Sequence, residues 1–227
     1  DLDKCVDRIV DLALRTNENL AKPGGEVDMD EHHAYAAKVA DEAIVLLEND
    51  GVLPLKPADK VAFVGKFAEE PRFQGAGSSQ VNAYKLDKIL DLKDEFKFEY
   101  LGYEPGFNFK GKVKKGLEKK ALKLAEKADI VVAFIGLDNV TEAEGLDREN
   151  IKIPANQLHF VDELLKLNKK VVVVLSAGSV IEIPFAKDVN ALMDAYLPGQ
   201  AGTNAVLRIL QGEVNPSGRL AETFPLQ

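Results

Sequence analysis

The sequence predicts a doubly wound α/β fold: a mostly parallel sheet with helices on both faces, in flavodoxin-like layers, preceded by a helical linker. Three observations lead there. Short apolar runs alternate with helical patterns from about residue 55 onward. Two of the runs, Ile130-Val131-Val132-Ala133-Phe134-Ile135 and Val171-Val172-Val173-Val174-Leu175, are apolar without interruption, as strands covered on both sides of a parallel sheet are. Hydrophobic residues make up 46% of the 227, enough to fill a full core.

The elements follow in order. Leu2, Val6, Ile9, Val10, Ala13 and Leu14 recur at helical spacing and predict a helix over 2–20, ended by Lys22-Pro23-Gly24-Gly25. A second helix is expected over 30–47, with Asp30 as N-cap, a stripe through Ala36, Val39, Ala40, Ala43 and Leu47, and Asn49-Asp50-Gly51 as its stop. Strands are expected over 61–65, 96–101, 130–136, 171–176 and 191–196, and helices over 117–127, 156–167 and 202–210. Asn215-Pro216-Ser217-Gly218-Arg219 has the composition of a turn.

Charge narrows the function. The formal net charge is -8, and phosphate binding needs clustered Lys and Arg, so nucleic acid is excluded as a partner. The basic run from Lys110 to Lys127 is interleaved with Leu117, Leu122 and Leu124 and reads as a solvated helix face. Cys5 is the only cysteine, which fits a reducing, cytoplasmic setting and leaves no disulfide framework. No apolar run approaches the roughly 20 residues of a membrane span, so no membrane partner is expected. Both ends read as running text, Asp1 opening straight into a helix and Phe224-Pro225-Leu226-Gln227 closing the chain, so a piece of a longer protein is expected.

In folds of this kind ligands gather beyond the carboxyl ends of the strands, which points to 66–79, 137–148 and 177–183. The second segment carries Asp138, Glu142, Glu144, Asp147 and Arg148. Crowded carboxylates are expected to raise one another's pKa, moving one from about 4.3 toward the value near 6 that suits a general acid. Arg148 is expected to pair with Asp147 or another nearby acid. Gly75-Ala76-Gly77-Ser78-Ser79 lacks the third glycine of a dinucleotide fingerprint and the Gly-Lys-Ser/Thr of a Walker loop, so it reads as a close-packed loop or as plain turn chemistry. Ser176-Ala177-Gly178-Ser179 lacks the Gly-x-Ser-x-Gly elbow and suitable His and Asp partners, which excludes serine hydrolase chemistry. His32, His33 and His159 have no metal-ligand spacing, and neither a metal nor a cofactor is expected.

Six segments, in this order, resemble the C-terminal α/β-sandwich domain of family 3 glycoside hydrolases of the bacterial β-glucosidase type. They are Leu46 to Leu55, Arg72 to Ser79, Glu142 to Arg148, Val171 to Gly178, Tyr196-Leu197-Pro198-Gly199-Gln200-Ala201-Gly202 and Asn215 to Pro225. The resemblance implies a helical end of a preceding domain and a linker over 1–48, and the sandwich domain over 49–227. It implies a retaining β-glycosidase acting on terminal β-D-glucosyl residues of a β-glucoside or oligosaccharide. A barrel domain of the same polypeptide would supply the Asp nucleophile, and this domain the acid/base Glu. The isolated chain is then expected to be inactive. By resemblance Glu144 is the favoured acid/base, with Glu142 the alternative. Asp147 and Arg148 are assigned to holding the loop and bordering the sugar pocket, and Arg72 and Gln74 to its rim. A non-catalytic carbohydrate-binding or interdomain module of the same fold is the alternative function.

Overall fold

The computed structural model describes residues 1–226, which fall into two compact units, Asp1–Asp30 and Glu31 onward. In the first, helix α1 (Leu2–Leu20) forms where the apolar spacing predicts it, and none of its side chains is buried. Helix α2 (Met29–Ala43) starts one residue earlier than expected, and Asp28, rather than Asp30, supplies the capping oxygen, accepting the Asp30 N–H at 2.9 Å.

The helix ends at Ala43 and does not run to Leu47. Residues 45–49 are instead strand β1 (Val45–Asn49), paired antiparallel with β6 (Ala191–Asp194). Ile44-Val45-Leu46-Leu47 suits either element, and pairing with a strand far along the chain decides it.

The remaining strands are β2 (Lys60–Val64), β3 (Glu99–Glu104), β4 (Ile130–Gly136) and β5 (Lys170–Ser176). The sheet order is β1-β6-β5-β4-β2-β3, with every pair from β2 to β6 parallel. Counting only those five strands, the order is that of flavodoxin, and the direction of winding reverses between β2 and β4. Helices α3 (Lys115–Ala125) and α4 (Ala155–Leu165) pack together against β2, β3 and β4. Helix α5 (Gly202–Leu210) lies on the face that carries Phe134 and Val174, which line a small cavity together with its Val206.

All seven residues of β4 are buried. On one face Phe63 is ringed by Phe96, Phe98, Tyr100 and Phe134 at centroid distances of 5.2 to 5.8 Å. Full burial of one such side chain contributes about 1.5 to 3 kcal/mol. The N–H groups of Phe96 and Lys97 go to the Lys93 carbonyl and the Gln211 side chain, so the β3 ladder begins at Glu99, three residues later than expected. Strand β6 stops at Asp194, whose carboxylate accepts the N–H of Tyr196, a residue with φ of 51°.

Strand β4 also ends for a specific reason. A Cβ on Gly136 would stand 2.0 Å from the Ser176 carbonyl oxygen, so only glycine lets β4 and β5 close here. The buried Gln157 amide then donates to the Gly136 carbonyl and accepts its N–H, both at 2.9 Å. The chain leaves the sheet at Leu137 in a defined direction.

Candidate active site

The turn after β4 is built on Asp138. Its Oδ1 accepts the N–H groups of Val140 and Thr141 at 3.0 and 2.7 Å and the Thr141 hydroxyl at 2.9 Å. The Asp138 carbonyl accepts the Glu142 N–H at 3.0 Å. Carboxylates of this type favour such turns because they offer the backbone a local acceptor. Glu142 is thereby turned toward the sheet.

There it is held from several sides. Arg72 Nη1 donates to Glu142 Oε2 at 2.5 Å, and the Gly178 N–H donates to the same oxygen at 2.8 Å. The Ser179 hydroxyl donates to Oε1, and Arg148 Nη1 lies 3.9 Å from it. Arg72 also donates to the carbonyls of Leu137 and Glu142 at 2.9 and 2.8 Å. Burial pushes the Glu142 pKa up, but Ser179, Gly178 and Arg72 together outweigh it and hold the group below 4.5.

Glu144 occupies the opposite situation. Residues Ala143 to Leu146 form a tight turn, closed by the Leu146 N–H on the Ala143 carbonyl at 3.2 Å, with Gly145 at φ 77°. Glu144 stands exposed at its tip. Its N–H donates to the Ala76 carbonyl at 3.0 Å, and its Oε2 accepts the Ser78 N–H at 2.8 Å and the Ser78 hydroxyl. Those Ser78 bonds lower the Glu144 pKa.

The expected mutual raising of carboxylate pKa values is therefore corrected: hydrogen-bond donors, not like charges, surround both glutamates. Of the two partners expected for Arg148, Asp147 or another nearby acid, the structure supplies the second, Glu142. Arg148 donates to the Ser179 hydroxyl at 2.6 Å and the Val180 carbonyl at 3.2 Å, and its acidic neighbour is Glu142. Asp147 is exposed and makes no hydrogen bond or ion pair among the described residues. Gln74 closes a loop of its own, exchanging bonds with the Val81 backbone at 3.0 and 3.1 Å. Arg72 is buried beneath the site.

Three contributors escaped sequence reading: Ser78, Gly178 and Ser179. Each lies in the segment that follows β2 or β5, in a small-residue stretch notable for chemistry it does not perform. His33, expected to bind no metal, is buried with Asp87 at 2.9 Å and Gln200 at 2.8 Å, joining α2 to the loops that precede α5 and follow β2. The Gly199 N–H donates to the Phe73 carbonyl at 2.9 Å, which ties the same loop to the segment carrying Arg72.

At the reversal of winding there is an open cleft of about 270 Å³, lined by Phe67, Pro71, Arg72, Phe109, Asp138 and Val140 among others. Glu144 is not one of its walls. No group of three His, Cys, Asp or Glu side chains among the described residues is arranged to hold a metal ion, and no helix among them is long and apolar enough to cross a membrane.

Residues 44–227 match the model of the glycosyl hydrolase family 3 C-terminal domain. The chain belongs to this family. It is 39% identical over 233 aligned residues to the thermostable β-glucosidase B of Acetivibrio thermocellus, an alignment covering 100% of the chain and 30% of that protein. It is 35% identical to an exo-α-(1→6)-L-arabinopyranosidase of Bifidobacterium longum, covering 99% of the chain and 31% of that protein. A GH3 β-glucosidase of Bifidobacterium adolescentis superposes with a TM-score of 0.89 at 37% identity, over 96% of the chain and 32% of the structure. The chain thus spans about a third of the length of these family 3 relatives, and their names carry more than one sugar.

Proposed function

We propose that this chain is the acid/base-carrying domain of a retaining β-glycosidase, of the β-glucosidase type, and that Glu144 is its proton donor. A preceding barrel domain of the same polypeptide supplies the Asp nucleophile and most contacts to the terminal sugar, and residues 1–48 are the end of that domain and the linker from it. The observation that carries the assignment is the contrast between the glutamates. Glu142 has both oxygens engaged by Arg72, Gly178 and Ser179, whereas Glu144 stands exposed at a turn tip with one oxygen unengaged among the described residues. A proton donor has to reach the leaving oxygen, and a carboxylate locked against a buried guanidinium does not.

A retaining enzyme needs two carboxyl groups about 5 to 5.5 Å apart. One attacks the anomeric carbon; the other protonates the leaving oxygen and later takes a proton from water. Arg72, Glu142, Arg148 and Ser179 act here as the frame that aims Glu144, and Asp147 borders the sugar.

The test uses the joined protein, barrel and chain together. Glu144→Ala should slow turnover of substrates with poor leaving groups far more than of activated aryl glycosides, and azide should restore activity. Those two responses in Glu142→Ala instead would transfer the role to Glu142. Unchanged turnover after removal of both glutamates would leave a non-catalytic module.

A further inference from the structure

The two oxygens of Glu144 are not equivalent. Oε2 accepts the Ser78 N–H at 2.8 Å and also the Ser78 hydroxyl, while Oε1 has no partner among the described residues. Placing a proton on Oε2 would break one of those bonds, because a protonated carboxyl oxygen is a poor acceptor beside two donors. The free oxygen takes the proton at no such cost.

The grip is built into the backbone. Ala76 accepts the Glu144 N–H at 3.0 Å, and Gly77, at φ 98°, lies so close that a Cβ on it would stand 2.7 Å from Glu144 Cβ. Among the described residues no charged side chain contacts Glu144. Asp147 and Glu149 of its own loop are exposed, Glu142 is tied to Arg72, and residues 75–79 include no titratable group. Ser78 is the side chain that orients this carboxyl.

Resting on the reading of Glu144 as acid/base, we propose that Ser78 is its positioning residue, fixing Oε1 as the atom that gives and takes the proton. In the first step the Oε1 proton passes to the glycosidic oxygen as the bond from that oxygen to the anomeric carbon breaks and the nucleophile's bond forms. Glu144 is left as carboxylate. In the second step Oε1 takes a proton from water as the water oxygen bonds to the anomeric carbon and the nucleophile carboxylate departs. The Ser78 bonds hold Oε1 in line for both transfers, and because they favour the ionised form they oppose proton loading before the first.

The joined protein carrying Ser78→Ala, Ser78→Thr and Glu144→Ala tests this. Ser78→Ala should move the alkaline limb of the kcat/KM profile to higher pH, since a donor that stabilises the carboxylate is gone. With an activated aryl β-glucoside, where the second step limits, its kcat should fall by about 10- to 100-fold and its KM should fall with it, as the glycosyl-enzyme accumulates. Ser78→Thr keeps the hydroxyl and should keep the wild-type limb. The position of a limb does not depend on how much of a variant is folded. An unmoved limb in Ser78→Ala, or an equal shift in Ser78→Thr, overturns the proposal while leaving Glu144 in its role. A Glu144→Ala variant with full activity, or with no response to azide, overturns both readings.

Discussion

Removing the Glu142 carboxylate should cost folding before it costs chemistry. The Arg72 side chain is 4% exposed and that of Glu142 16%, so Glu142→Ala leaves a buried guanidinium without its counter-ion. Breaking one partner of a buried pair costs about 3 to 5 kcal/mol. Arg72 keeps its bonds to the Leu137 and Glu142 carbonyls, which places the variant at the low end, about 3 kcal/mol. In urea, with a slope of about 2 kcal/mol/M, the unfolding midpoint of the chain at pH 7 should drop by about 1.5 M. Arg72→Met should be similarly harmful, and Arg72→Met combined with Glu142→Leu should cost less than the two losses added, because neither member of that pair is left without the other. The folded-state pKa of Glu142 is lowered, so its stabilisation is present above 4.5 and is lost as pH falls through the lowered value. The gap between wild type and Glu142→Ala should therefore narrow in acid. A Glu142→Ala chain that unfolds at the wild-type midpoint would refute the reasoning.

Three further outcomes follow from the same structure. Asp194 is fully buried, and burial pushes its pKa up to about 7 from 3.8, against the pull of the Tyr196 N–H; the stability its neutral form gives is full below 3.8 and lost as pH rises through about 7. Asp194→Asn should thus match wild type near pH 4 and exceed it at pH 8, with a ceiling of about 4 kcal/mol, read as urea midpoints across that range; a constant gap would contradict it. Gln157→Leu strips partners from both the N–H and the carbonyl of buried Gly136, a loss of about 3 kcal/mol, visible as a lower Tm and faster amide exchange at Gly136. Gly77→Ala meets both a left-handed backbone and the Glu144 Cβ, so it should lower kcat of the joined protein by more than about 10-fold, with a backbone strain of only about 1 to 3 kcal/mol in the urea midpoint.

Strands β4 and β5 were legible because burial on both faces writes an unbroken apolar run, a signal that needs no knowledge of the partner strand. Strand β1 was not. Its residues extend a helical stripe, and their partner, β6, lies near the other end of the chain. The site divides in the same way. The acidic loop could be found from its place after a buried strand, but spacing could not rank Glu142 against Glu144. What separates them is donated by residues 36 to 70 positions away: Arg72 and Gly178 for one, Ser78 for the other. Ser78 and Ser179 were hidden for a chemical reason. A hydroxyl that donates to a distant carboxylate has no local motif, and the motifs available for serine describe nucleophiles and phosphate cradles.

As the proposed proton donor, Glu144 has to gain proton affinity when the chain joins its barrel domain. A general acid must be protonated at working pH, yet Ser78 holds this carboxyl below its ordinary 4.5. Nothing among the described residues acts in the opposite direction strongly enough, since the group is exposed and no other acid contacts it. Proton affinity must then come from assembly. A nucleophile carboxylate brought to about 5 to 5.5 Å repels the Glu144 charge, and closure over a sugar removes water from it; both raise the pKa. In the proposed mechanism the glycosyl-enzyme has no charge on the nucleophile, so the pKa falls again and Glu144 is ionised for the second step. In the 227-residue chain, carbon-13 titration should place Glu144 below an ordinary glutamate. In the joined protein the same carboxyl should titrate higher, and replacing the nucleophile Asp by Asn should return it toward the isolated value. A Glu144 that titrates alike in the isolated chain and the joined protein would show that assembly does not make the acid.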